Sequence, residues 1–407
     1  MIEFARTRAA TCLRLLFPVV LLLLPAGCGS SAPSPAVEVE TEEYQREKLP
    51  AAAADDFEES TFSDTPESPA TADASGGEFM PFEGLSPIEA PQFVEVQRVG
   101  RVEEDHLLFA PDGTRAYAAY ENIGVYDVAT WERTGTWELP DLADLEHLRL
   151  SRDGSILAAA HYDGGITVWD TATGECVQQF AHPPVEGSLG GMFRIPATFA
   201  VSPDGGLMTS GEGGTYESFV WEARTGKVLW KWTASWRDVK PADFSPADGT
   251  LAAMQADQLV FCDAMTGETK QAVAFGDMES LDLVRYSPDG QFLLGACDEE
   301  IRGEDRSMAV LFDTSTADVV WKIETPLIRI YSIAYSPDGS TVAITGELPR
   351  KEGSTEDRRA VQIRNSSDGR IRFTFDADGM PLSASTSYSA DGKLLATGSR
   401  VWELPKE

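Results

Sequence analysis

Residues Leu150–Phe180 read LSRDGSILAAAHYDGGITVWDTATGECVQQF, and this stretch decides the fold. Four short strands are expected in it: one ending at Ser151, then Ile156–Ala160, Ile166–Asp170 and Cys176–Phe180. Asp153-Gly154 makes the first reversal, because glycine accepts the positive φ that a tight hairpin demands. Asp163-Gly164-Gly165 makes the second, and Thr171–Gly174 the third. Near-copies of the unit run down the rest of the chain.

The copies are counted on the Asp-Gly turn. It recurs as FAPDG ending at Gly113, SRDG at Gly154, VSPDG at Gly205, SPADG at Gly249, YSPDG at Gly290, YSPDG at Gly339 and YSADG at Gly392. The spacings of 41, 51, 44, 41, 49 and 53 residues match one four-stranded β-propeller blade, typically about 40–45 residues. Each turn leads into a small or apolar strand and then a Val/Phe-rich one. The third-strand echoes are GVYDVAT, TVWDTATG, FVWEARTG, VFCDAMTG, VLFDTSTA and VQIRNSSDG. The expected fold is all-β: a seven-bladed β-propeller over 91–407, preceded by a disordered N-terminal tether.

On these residues the chain resembles the WD-repeat propellers. The signature dipeptide stands as Trp169-Asp170, with Trp221-Glu222 and Trp402-Glu403 close to it. The family's Gly-His dipeptide is missing, Ala181-His182 coming nearest, so its full His–Asp–Ser–Trp hydrogen-bond set is incomplete in every blade. The repeats also resemble the quinoprotein-type propellers once, through Thr225-Gly226-Lys227-Val228-Leu229-Trp230. The last repeat, from about Leu382, supplies only three strands, whereas Gln92–Val102 alternates like a strand and belongs to no repeat. The surplus strand is expected to complete the last blade, as WD-like propellers commonly arrange, and so to remove an open sheet edge.

The beginning of the chain reads as an address. Arg6, Arg8 and Arg14 precede the apolar run Leu15–Leu24, which is too short for a transmembrane helix of about 20 residues and suits a signal peptide, 1–27. Leu24-Pro25-Ala26-Gly27-Cys28 resembles a bacterial lipobox, with Pro25 where the pattern prefers Leu. The resemblance implies cleavage before Cys28 and lipidation of its thiol; an ordinary secretory signal is the alternative. Gly29 is not the Asp that would imply inner-membrane retention. The segment 28–90 is rich in Pro, Ala, Ser and acidic residues, with 15 acids between Gly29 and Ala90 against Arg46 and Lys48. Such a composition buries too little apolar surface to offset its ordering entropy, so a disordered linker is expected. Together these features imply a bacterial cell-envelope protein, on the periplasmic side of the outer membrane or at the cell surface.

The net charge of −33 excludes nucleic acid as a partner, because neutralising phosphates needs a basic surface. Of the five cysteines, Cys262 and Cys297 read as small core fillers on strands. The four histidines stand in no nucleophile context, and His147 and His161 read as structural. GSLGG at 187–191 and GEGG at 211–214 lack the strand-to-helix setting of a phosphate cradle. No catalytic residue, cofactor or metal site is therefore expected. One asymmetry remains. The Asp-Gly and Thr-x-Thr-Gly turns, on one face of the disc, are short; the connections on the other face are long, including Asp298–Ser307 in blade five and Glu347–Arg359 in blade six. Long loops on a rigid scaffold often carry binding. They hold Arg302, Arg306, Arg350, Lys351, Arg358 and Arg359, a basic set on an acidic molecule, interleaved with acids that offer internal pairing instead. The expected function is a monomeric, membrane-tethered scaffold that binds a protein partner without catalysis. The alternative is a quinoprotein-like enzyme with a site in the central channel.

Overall fold

The computed structural model describes residues 94–98, 106–119, 122–139, 145–161, 164–181, 196–212, 217–233, 242–255, 258–274, 281–301, 304–350, 357–377 and 385–405. All fall within the unit Phe82–Glu407. They form seven four-stranded antiparallel sheets, here blades one to seven. Blade two contains Leu145–Leu150, Ile156–His161, Gly165–Asp170 and Cys176–Ala181, in spatial order from the axis outward. The expected strands are present there to within a residue or so at most ends. The innermost strand of each blade abuts that of the next, and blade seven abuts blade one, which closes the ring.

Five of the seven reversals between the first two strands are built the same way; blade one has Ala110 in place of the Ser, and the turn of blade four carries one extra residue. In blade two the Ile156 N–H donates to Ser151 Oγ (2.9 Å), which itself donates to Asp153 Oδ1 (2.6 Å). Gly154 takes φ 73°. The same Ser–Asp pair recurs in blades three, five, six and seven. These bonds to the ionised carboxylates hold them below the usual range, and Lys393 brings Asp391 to about 2. The third reversal is capped by the Asp that follows the signature residue: Asp170 Oδ1 accepts the N–H groups of Ala172 (3.0 Å) and Thr173 (3.3 Å). In blades one and five the left-handed seat of this turn is held without glycine, by Trp131 and Ala317.

Apolar residues do not alternate along the second strand of a blade, because both of its faces are covered. Leu157 and Ala159 join the cluster between blades one and two, while Ile156, Ala158 and Ala160 join the one between two and three. Seven such clusters occupy the seven blade interfaces. Cys262 and Cys297 are buried in two of them, and neither they nor the exposed Cys176 form a disulfide among the described residues. Trp230 and Trp232 each donate to a blade-four carbonyl, of Ala264 (2.9 Å) and Met254 (3.2 Å), so their spacing serves packing.

The ring closes as expected. Val94–Arg98 pairs antiparallel with Arg400–Glu403 and forms the outer strand of blade seven. In the other six blades the ladder between third and fourth strands skips one residue beside the signature position, as between Val168 and Trp169. The N-terminal strand reproduces this skip, with Glu95 opposite Trp402 and Gln97 opposite Val401. The signal-peptide and linker expectations, Cys28 included, lie outside the described residues.

Candidate functional site

The signature position shows how far the WD-type bonding persists. Trp221 Nε1 donates to Ser210 Oγ (2.7 Å) and Trp402 Nε1 to Thr397 Oγ1 (2.8 Å), each within one blade. In blade two the equivalent partner position holds Ala159, and Trp169 is simply buried. Blade six places Arg364 at the signature position itself, buried, with Nε and Nη2 on Gln362 Oε1 (3.0 and 2.7 Å) and Nη1 on the Gly369 carbonyl (2.8 Å). Burial lowers this guanidinium to about 10. His161 is also structural: it is buried, with Nε2 3.0 Å from Thr167 Oγ1.

The connection expected as an irregular loop in blade five is an extended hairpin, whereas in blade six only the two ends of the expected loop join the ladder, Glu347 and Leu348 facing Arg359 and Arg358. Phe292–Ile301 pairs with Glu304–Asp313 through ten rungs, and Thr341–Leu348 with Arg358–Asn365 through eight. Opposite charges fall on facing positions at Glu299 with Arg306 and at Glu347 with Arg359, whereas Glu300 faces Asp305. Cross-strand pairs of opposite charge add roughly 0.2–1 kcal/mol each, while every rung satisfies backbone groups that a loop would leave to water.

The two hairpins are joined at their roots. Asp298 Oδ1 accepts from Ser307 Oγ (2.7 Å) in its own blade and from the Ile330 N–H (3.1 Å) of blade six. Arg329 Nε lies 3.9 Å from the other carboxylate oxygen, and Tyr331 donates to Glu347. Within the basic set, Arg350 is engaged with Asp357 through Nε (2.8 Å) and Nη2, while Arg358 Nη1 reaches the Pro349 carbonyl (3.5 Å). Arg359 is half-buried on its strand. Arg306 is placed by its backbone alone, and Arg302 and Lys351 lie outside the described residues.

A second locus was not singled out from the sequence. The residue two before the turn's Ser (Ala110 in blade one) takes the same place on each innermost strand. In order these are Leu108, Arg149, Ala200, Asp243, Arg285, Ala334 and Ser387. Stacking the repeats on their Asp-Gly turns would have exposed this ring, because six of the seven lie five residues before the turn glycine and Asp243 lies six before Gly249, whose turn carries one extra residue. Arg149 and Arg285 line a cavity of about 450 Å³. Among the described residues no group of His, Cys, Asp and Glu is arranged to hold a metal ion.

This geometry defines a seven-bladed β-propeller with WD-repeat-like blades. No protein-family model matches the chain. It is similar to actin-interacting protein 1 of Drosophila melanogaster, 25% identical over 246 residues that cover 55% of this chain and 37% of that protein. The chain thus spans well under half the length of that relative. A chain in a crystal structure of the mitotic checkpoint complex shares the fold, with a TM-score of 0.58 over 81% of this chain and 98% of the other at 12% identity.

Proposed function

We propose that this chain is a scaffold for protein–protein interaction, held at a bacterial cell envelope by a lipid on Cys28 and acting without catalysis. The observation that carries the reading is the pair of extended hairpins, rooted together through Asp298, that rise from adjacent blades of an otherwise uniform disc. A partner would meet Arg306, Arg350, Arg358 and Arg359; Arg302 and Lys351 belong to the same basic set in the sequence. Arginine suits bidentate recognition of carboxylates at an interface. The relative named for its interaction with actin, and the chain from a multiprotein complex, support association with protein as the role of this fold. The partner itself is not defined by either.

The test is capture from solubilised envelope with the full chain. Arg358→Glu with Arg359→Glu is expected to lose the partner while the melt stays within a few degrees. Lys227→Glu, exposed near a Thr-x-Thr-Gly-type turn on the opposite face, is expected to keep it. Retention of the partner by both variants would move the site off the hairpins. In the same preparation Cys28→Ala is expected to release the protein from membranes, because acyl chains rather than a helix would hold it. Persistence in the membrane fraction through carbonate washing would refute the anchor.

A further inference from the structure

The cavity beside Arg149 and Arg285 is lined by blades one, two, five, six and seven. Blades on opposite sides of the ring share it only if it is the mouth of the axial channel. The turn residues Pro111, Pro288 and Pro337 border it, so it opens on the Asp-Gly face, away from the hairpins. Three arginines meet there on a chain of net charge −33. Arg152, the third, stands in the turn of blade two where those prolines stand in blades one, five and six, and its charge reaches Asp289 of blade five.

The two inner guanidinium groups are only partly occupied. Arg149 donates through Nε to the Phe199 carbonyl (3.2 Å) and through Nη1 to that of Leu148 (2.9 Å); Arg285 Nη1 donates to the Val284 carbonyl (3.0 Å). A guanidinium carries five N–H donors, so most of theirs meet no protein acceptor among the described residues. Asp243, at the same level of the ring, has its Oδ2 taken by the Tyr286 N–H (2.9 Å). Burial and the Arg285 charge hold Arg149 down at about 9, against a pull upward from Asp243. Asp243 sets one carboxylate against these two guanidinium groups and Arg152 adds a third positive charge, so the mouth keeps an excess that an entering anion would offset. Ser332 and Ser387 also line the mouth; their oxygens accept the Thr386 and Phe109 N–H groups, so each keeps a proton to donate.

We propose that the channel mouth binds a small ligand bearing oxyanion groups, a di- or tricarboxylate or a phosphate, clasped between Arg149 and Arg285 with Arg152 at the entrance. The volume suits a small molecule, and forked donors match the geometry of carboxylate and phosphate alike. This site is independent of the hairpin rim.

Thermal melts and titration calorimetry on the full chain test it, with citrate, inorganic phosphate and chloride at matched ionic strength. Citrate or phosphate is expected to raise the melting temperature saturably where chloride does not, and the stronger of the two identifies the ligand class. Arg149→Gln and Arg285→Gln are each expected to weaken binding about tenfold or more, a bidentate contact being lost in each. Arg152→Gln, at an exposed turn that does not endanger folding, is expected to weaken it several-fold. A melt that no oxyanion shifts beyond chloride overturns the proposal. So does binding that survives in a folded Arg149→Gln/Arg285→Gln protein, or, if that protein does not fold, binding untouched by Arg152→Gln.

Discussion

Blades two and seven are nearly the same object made in two ways. Both are four-stranded, both carry the Ser–Asp–Gly turn, and both skip one residue beside a buried tryptophan. Blade two comes from one continuous run of chain, 145–181. Blade seven takes three strands from the end of the chain and its fourth from Val94–Arg98, about 300 residues away. The bulge, then, is a property of the blade rather than of local connectivity. The same skip stands beside Tyr126, Cys262, Phe312 and Arg364 in blades one, four, five and six, so it does not require tryptophan at that position. Closure by a distant strand joins the two ends of the ring and covers the edge of Arg400–Glu403.

The largest effect should come from breaking that distant pairing. Deleting Gln92–Gly100 removes the outer strand of blade seven and exposes the edge of Arg400–Glu403. The melting temperature is expected to fall by about 10 °C or more, with loss of a single cooperative transition. Deleting Ser31–Ala90 should leave the melt unchanged within a degree or two. Equal melts for the two deletions would show that blade seven stands without its borrowed strand.

A smaller effect is expected from acid at the blade-one side of the closure. His106 begins the innermost strand of blade one, the strand whose Leu107 and Phe109 N–H groups donate to Ser385 and Ser387 Oγ of blade seven. Burial and then the Arg149 charge hold the imidazole down at about 3, against an opposing backbone hydrogen bond at Glu146. The unfolded chain therefore binds a proton below about pH 6.5 that the folded chain refuses. Stability is intact above that pH and falls as the pH drops towards 3, by about 1.4 kcal/mol per unit within the window. Denaturant titrations at pH 7.5 and 5 should show this loss in the parent and a shallower one in His106→Leu. Parallel pH profiles would mean that other groups govern acid sensitivity.

The finest comparison is between the two turn glycines. Gly154 and Gly392 have almost the same φ, 73° and 71°, so alanine carries the same left-handed penalty at each, about 1–2 kcal/mol. Their surroundings differ. A Cβ at residue 154 would come within 2.8 Å of Pro111 Cγ, whereas at residue 392 the nearest atom is Pro337 Cδ at 3.7 Å. Gly154→Ala is expected to cost about 1 kcal/mol more than Gly392→Ala, measured by denaturant unfolding. Equal costs would show that the blade-one turn yields freely to its neighbour.

Much of this was legible before any coordinates. The seven Asp-Gly turns, the apolar second strands and the unmatched strand near Gln92 are local signals. They follow from backbone rules that operate within a few residues: positive φ at glycine, Ser–Asp bonding across a turn, alternation along a strand. They sufficed for blade number, blade order and the mode of closure. The hairpin of blade five was misjudged as a loop because its acid-rich sequence lacks the apolar signal of a buried strand. Pairing there rests on cross-strand register, which a single stretch of sequence does not display.

The sequence by itself determined that this chain is a ring of seven repeated units, because each unit's turns and strands are decided by its own residues. It also set the charge, which belongs to composition alone. Only the tertiary structure decided which residues face the axis. Arg149, Asp243 and Arg285 lie roughly 40 to 140 residues apart, each two residues before the Ser of its own turn, a place that by itself does not say what it faces. They come to one level because the innermost strands of blades two, four and five converge on the same channel. Their environment there follows from that convergence: the ring withdraws them from water and sets like charges within reach of one another. A strand can specify its own turn, but not what will stand across the channel from it.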